Sequence, residues 1–356
     1  MALYWIIFGV IAVFSIIEQN TKNQLLSIRL FYVAVFVLFC LSFLRWERGT
    51  DWIAYYNMFL YGPQNRHIEI GYSFLLEAVR LFTDNYTFFL FLQSILYYAL
   101  MISLIKKINI YIHQIYDDKP YLYCTILVYM YSQDFAGIYM VRSTIAYMIC
   151  LHAFINIVER KLWLFIGKVL IATLIHRSSF AFFIAYPLAV YMKFDYKYII
   201  SLFLVAVSFI IFTSNYDSIL NNIGFGDYVT YLNSARDSYI GIIKWGILFL
   251  GMIVLRSIYQ KEFYDEIIIL FSVGFVLFVW SQINAPVAQR ISGLFLQVCA
   301  LWIFFIIKIP IKYNHLIYGV FIVFEGICLW SLLTGSYGML YCPYKFVWDT
   351  FSVEVF

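Results

Sequence analysis

The chain has 356 residues, of which 64% are hydrophobic and only 12% charged, with a mean hydropathy of +0.83. That balance excludes a water-soluble domain of this size and predicts an all-α polytopic membrane protein. The formal net charge is +4 and no basic run exceeds Lys106-Lys107, which argues against a nucleic-acid partner.

In chain order, apolar runs fall at 2–17, 29–44, 86–105, 120–136, 138–158, 162–175, 177–192, 198–213, 241–255, 266–283, 288–307 and 315–334, predicting about 12 transmembrane helices. Several are shorter than the roughly 20 residues needed to cross a bilayer core. The two runs flanking His176 can equally be one bent helix and a re-entrant piece. Residues 2–17 lack a basic leader and a small-residue cleavage site, and read as a retained first span. Five of the six cysteines lie within apolar runs, so no disulfide framework is expected.

Residues 45–85 interrupt this pattern. They contain Arg45, Arg48, Arg66 and Arg80 with Glu47, Asp51, Glu69 and Glu77, and no lysine. Two surface-lying helices are expected here. The first starts at Asp51 with Thr50 as its N-cap and turns Ile53, Tyr56, Phe59 and Leu60 toward the membrane. The second spans Ile68 to Phe82 and aligns Glu69, Ser73, Glu77 and Arg80 on one polar stripe. Asp84 is placed to cap the next span. Residues 214–240 form a second polar stretch.

Orientation follows from the distribution of lysine. Placing Lys22 in the cytoplasm puts Lys106, Lys107, Lys119, Lys161, Lys193, Lys197, Lys261, Lys308 and Lys312 there as well. The opposite side, with both termini and 45–85, then receives Arg45, Arg48, Arg66, Arg80, Arg142, Arg177, Arg236 and Arg290. Lysine follows topology there, whereas arginine needs another reason. A guanidinium fork suited to phosphate oxygens is one; pairing with Glu47, Asp51, Glu69 and Asp237 is the plainer one. Arg142 lies about a turn inside an apolar run, where a charge requires a partner or an aqueous cavity. His176-Arg177-Ser178-Ser179 and Arg290 lie at span ends on the same predicted side.

No Walker motif, dinucleotide-binding glycine pattern, HExxH or Asp-x-Asp occurs, so nucleotide hydrolysis, zinc proteolysis and a metal-held nucleotide-sugar are unsupported. Neither a metal nor a cofactor is called for. An enzyme here draws its substrate from the membrane.

Arg48-Gly49-Thr50-Asp51-Trp52 with Tyr55, Glu69-x-Gly71-Tyr72, Arg142-Ser143-Thr144-Ile145-Ala146 and His176-x-Ser178-Ser179-Phe180 together resemble the EpsG-like family of Wzy-type polysaccharide polymerases. Arg290 and Pro343-Tyr344 follow in the same order, and the resemblance covers nearly the whole chain. Trp52 stands where a tyrosine or another aromatic is expected. The resemblance implies a GT-C-like membrane glycosyltransferase in a bacterial inner membrane. It would transfer a growing glycan from undecaprenyl pyrophosphate to a lipid-linked repeat unit at the periplasmic face, alongside a flippase and a chain-length regulator. His176, Asp51 and Glu69 are then the catalytic candidates. Arg45, Arg48, Arg142, Arg177, Arg290, Tyr55, Tyr72 and Tyr344 are the candidates for holding pyrophosphate and glycan. A glycolipid flippase and an O-antigen ligase remain as alternatives, though the arginines gather on one predicted side and the longest polar external stretch comes early.

Overall fold

A computed structural model describes residues 1–21, 23–49, 51–62, 68–115, 121–139, 142–195, 197–202, 204, 239–256, 262–284, 286–302, 314–335 and 338–352. The predicted stretch 214–240 lies almost entirely outside these residues, as do Thr50, Arg66 and Arg236. The named elements among the described residues are helical, with one isolated antiparallel bridge between Arg45 and Phe346. Among the described residues, five helices are long and apolar enough to cross a membrane: Ala2–Asn20, Gln24–Phe43, Tyr86–Tyr111, Tyr264–Ser281 and Leu316–Thr334. Arg142–Val158, Leu162–Ile175 and Arg290–Trp302 are shorter apolar helices.

The chain divides into two compact units, one made of Met1–Met148, Leu174–His176 and Ile303–Phe356, the other of Ile149–Thr173 and Arg177–Trp302. In the first unit, α1 (Ala2–Asn20) packs on α2 (Gln24–Phe43) and α6 (Tyr123–Asp134). Helix α5 (Tyr86–Ile115) lies against α2, and α13 (Asn314–Thr334) against α6. Two buried carboxylates are satisfied between helices, as the apolar surroundings require. The fully buried Glu18 carboxylate accepts the backbone N–H groups of Tyr123, Cys124 and Thr125 at 2.8, 2.9 and 3.1 Å. A side chain of α1 thus caps α6, where three N–H groups lack partners of their own. Glu325 of α13 accepts the Gln133 amide at 2.9 Å and the Ser132 hydroxyl.

Residues 45–85 form two short helices, α3 (Trp52–Tyr61) and α4 (Ile70–Arg80). Their details depart from the sequence pattern. Asp51, and not Thr50, is the N-cap residue of α3, and it makes no side-chain capping bond. Phe59 does not face lipid. It is buried, and with Tyr56 it packs on Tyr86, because the side of α3 facing the chain offers more aromatic surface than the expected outward face. Ile53 does stay outside.

Helix α4 begins two residues later than expected, with Glu69 as its N-cap residue, so Glu69 leaves the polar stripe. Arg80 leaves it too, donating to the Leu60 carbonyl at 3.0 Å and tying α4 to α3. What remains outward on α4 and just beyond it is mostly apolar: Ile70, Phe74, Leu81 and Phe82 are exposed, as suits a helix lying against lipid. The next span is capped by Asn85, whose Oδ1 accepts the Phe88 N–H at 3.2 Å, and not by Asp84.

Helix α8 (Leu162–Ile175), which belongs to the second unit as far as Thr173, is followed by a 3-10 segment at Arg177–Ile184 and a seven-residue helix α9 (Ala185–Tyr191). The region is thus a series of short pieces, with Leu162–Ile175 among the shorter apolar helices. Helices α10 (Tyr239–Arg256), α11 (Glu262–Asn284) and α12 (Pro286–Leu296) follow among the second unit's described residues. Arg256 of α10 and Asp265 of α11 form a two-bond fork at 2.7 and 2.8 Å.

Candidate active site

The site in the first unit starts from the cap of α4. Glu69 is the last residue before that helix, with an extended backbone (φ −66°, ψ 139°) that turns its side chain away from the helix surface. Its carboxylate reaches two basic side chains brought from distant parts of the chain. Glu69 Oε2 accepts from Arg142 Nη1 at 2.5 Å, and Oε1 lies 3.3 Å from His176 Nδ1. The side chains of Glu69 and His176 are 7% and 8% exposed, whereas Arg142 keeps 22%. The arginine alone of the three therefore presents donors outward. The imidazole Nδ1 faces Oε1 within ion-pair reach but off the line of a hydrogen bond, so Glu69 grips Arg142 and steers His176.

Each partner is set by its own backbone. Arg142 is the first residue of α7 (Arg142–Val158), so it stands at the helix start and not a turn inside it. His176 follows the last residue of α8, and Tyr147 of α7 meets its ring edge to face at 6.3 Å. Tyr55, at 8% exposure on α3, hydrogen-bonds with Arg142. Burial pushes its hydroxyl up to about 12 while the nearby Arg142 charge opposes that shift. Tyr55 consequently stays neutral and acts as a hydrogen-bonding support, not as a base. Asp51 is exposed and its charge is felt at Tyr55.

The other predicted residues fall in different surroundings. Tyr72 is fully buried beneath the site, edge to face with Tyr55 at 5.6 Å. The Tyr344 hydroxyl donates to the Leu41 carbonyl at 2.5 Å, tying the tail to the end of α2. Arg45 is 4% exposed and donates to the Ile138 carbonyl at 2.7 Å. Arg48 is half-buried, and its Nε makes no hydrogen bond among the described residues. Arg177 and Arg290 belong to the second unit and are exposed there, Arg177 opening the 3-10 segment and Arg290 within α12.

Sequence reasoning passed over Lys168 of α8, which donates to Asn156 Oδ1 at 2.6 Å and the His152 carbonyl at 3.2 Å. A lone lysine within an apolar run was its signal. Among the described residues, no group of three or more His, Cys, Asp or Glu is arranged to hold a metal ion.

Gly71 sets the spacing between Glu69 and His176. A Cβ at that position would lie 2.8 Å from the Leu174 carbonyl oxygen and 3.0 Å from its carbon. The obstacle is backbone, so alanine must push α4 off the segment that carries His176. Gly71→Ala is expected to keep the protein in the membrane while lowering its activity about 10²-fold, the scale of a ~1 Å misplacement in a reacting site. Comparing initial rates at equal membrane abundance checks this.

Helices of membrane-spanning length, with a carboxylate, a guanidinium and an imidazole gathered at the start of the short helix α4, define an integral membrane protein with a charged site in its first unit. The chain belongs to the EpsG family, whose profile matches residues 28–346. Membership points to a polysaccharide polymerase-type, glycosyltransferase-like function. No curated protein and no solved structure matches the chain.

Proposed function

We propose that the protein is a lipid-linked polysaccharide polymerase of a bacterial inner membrane, with its active site facing the periplasm. The observation that carries this reading is the Glu69–Arg142–His176 cluster, formed by residues of three separate EpsG-like motifs. The donor is a growing glycan on undecaprenyl pyrophosphate, and the acceptor is a sugar hydroxyl of a lipid-linked repeat unit. The hydroxyl oxygen bonds to the anomeric carbon of the donor as the bond from that carbon to the pyrophosphate oxygen breaks. The bonding pair leaves with undecaprenyl pyrophosphate, and the hydroxyl proton passes to a base.

The residues divide these tasks by their chemistry. Arg142, fixed by Glu69 and Tyr55, retains donors for the oxygen on which charge develops. His176 turns Nδ1 toward Glu69, which leaves Nε2 to take the acceptor proton. Asp51, exposed at the start of α3, orients sugar hydroxyls. Arg48, Arg177 and Arg290 remain candidates for phosphate oxygens, each tested by its own lysine variant.

Electrophoresis of the surface glycan from a deletion strain tests the function itself. The expected result is retained single-repeat product with loss of the ladder. Loss of both would assign the protein to glycolipid export instead.

A further inference from the structure

The turn that delivers Arg142 has an unusual backbone. Phe135 and Ala136 are both left-handed, at φ 49° and 47°, and Gly137 follows at φ 83°. Two consecutive non-glycine residues in that region cost ~1–2 kcal/mol each, so the surroundings must hold them there. Gly137 cannot be anything larger, because a Cβ would lie 2.2 Å from the Tyr97 ring. The turn is shut from the other side by Arg45. Its Nη1 donates to the Ile138 carbonyl at 2.7 Å, and its guanidinium carbon lies 5.8 Å from the centre of the Tyr139 ring. Arg45 is itself held by its backbone bridge to Phe346 and is 4% exposed.

We infer that Arg45 is a positioning residue, which fixes the left-handed turn through the Ile138 carbonyl and so sets where Arg142 stands against Glu69. This rests on the polymerase reading, in which Arg142 acts on the leaving group. It gives Arg45 a task other than binding pyrophosphate: its planar fork is turned into the protein, on a carbonyl and an aromatic face. The effect of Arg45 on the reaction therefore passes through Arg142.

A double-mutant cycle separates acting through Arg142 from acting beside it. Initial polymer formation is measured with purified variants in vesicles that carry the lipid-linked repeat units accumulated by the deletion strain. Arg45→Met is expected to lower the rate about 30-fold in the wild-type background and less than about 3-fold in an Arg142→Lys background, because residues acting as a unit are not additive. Arg45→Lys keeps one donor for the Ile138 carbonyl and is expected to recover at least about a third of the wild-type rate.

An Arg45→Met loss that is undiminished in the Arg142→Lys background overturns the inference. So does a lysine variant at Arg45 as poor as Arg45→Met, a test that stands even if the methionine variant accumulates poorly. A full rate for Arg142→Lys strikes the polymerase site instead, which keeps the two failures distinct.

Discussion

Arg142→Lys is expected to lower polymer formation by about 10²–10³, the cost of removing one preorganised donor from a developing anion. The charge survives this change but the geometry does not. Arg142 uses Nη1 on Glu69 at 2.5 Å and also hydrogen-bonds Tyr55 while remaining 22% exposed. Its planar group can therefore be gripped from within and still present N–H groups outward. A lysine ammonium reaching Glu69 would have no fixed second direction left for phosphate. Glycan ladders and initial rates, normalised to the amount of protein in the membrane, provide the measurement. A full ladder from the lysine variant would reduce Arg142 to a structural charge.

Glu69→Gln is expected to be nearly as damaging, about 10²-fold, since it disturbs Arg142 and His176 together. The amide keeps the shape of the side chain but loses the charge that holds Arg142 and faces His176 Nδ1. It can also turn an NH₂ toward one of them. Because the Glu69 side chain is only 7% exposed, water is a poor substitute for the lost pair. The variant should also melt at a lower temperature in detergent, whereas Arg142→Lys should melt near wild type. Wild-type rate together with wild-type melting would remove Glu69 from the centre of the site.

The class of fold was legible because lipid leaves so few options for a backbone. Runs 2–17 and 315–334 lie within helices Ala2–Asn20 and Asn314–Thr334, and 29–44 overruns Gln24–Phe43 only by its C-cap residue Leu44. Part of the site was legible as well. Glu69, Arg142 and His176 are charged or titratable groups next to helix ends, and the structure brings these three together. What escaped sequence reasoning depended on contacts between distant residues. Glu18, one residue past the first apolar run, caps α6 from more than 100 residues away. The stripe drawn through Glu69 and Arg80 assumed a helix from Ile68, but with the helix starting at Ile70 both side chains have other uses. No periodicity announces a left-handed pair at Phe135 and Ala136, neither of which is glycine.

The bridge between Arg45 and Phe346 bears on how the protein is made. It is flanked by backbone bonds from Trp46 to Lys345 at 2.9 Å and from Val347 to Leu44 at 2.8 Å. The Lys345–Glu47 ion pair joins residues 298 positions apart. A ribosome supplies segment 44–49 early and its partner only after nearly every helix has been threaded into the bilayer. Since contacts so distant in sequence close late, Arg45 must wait unbraced through most of synthesis. On the positioning reading of Arg45, the brace on this segment is thus set only after residues 345–347 have been made, so the site would be the late-maturing part of the protein.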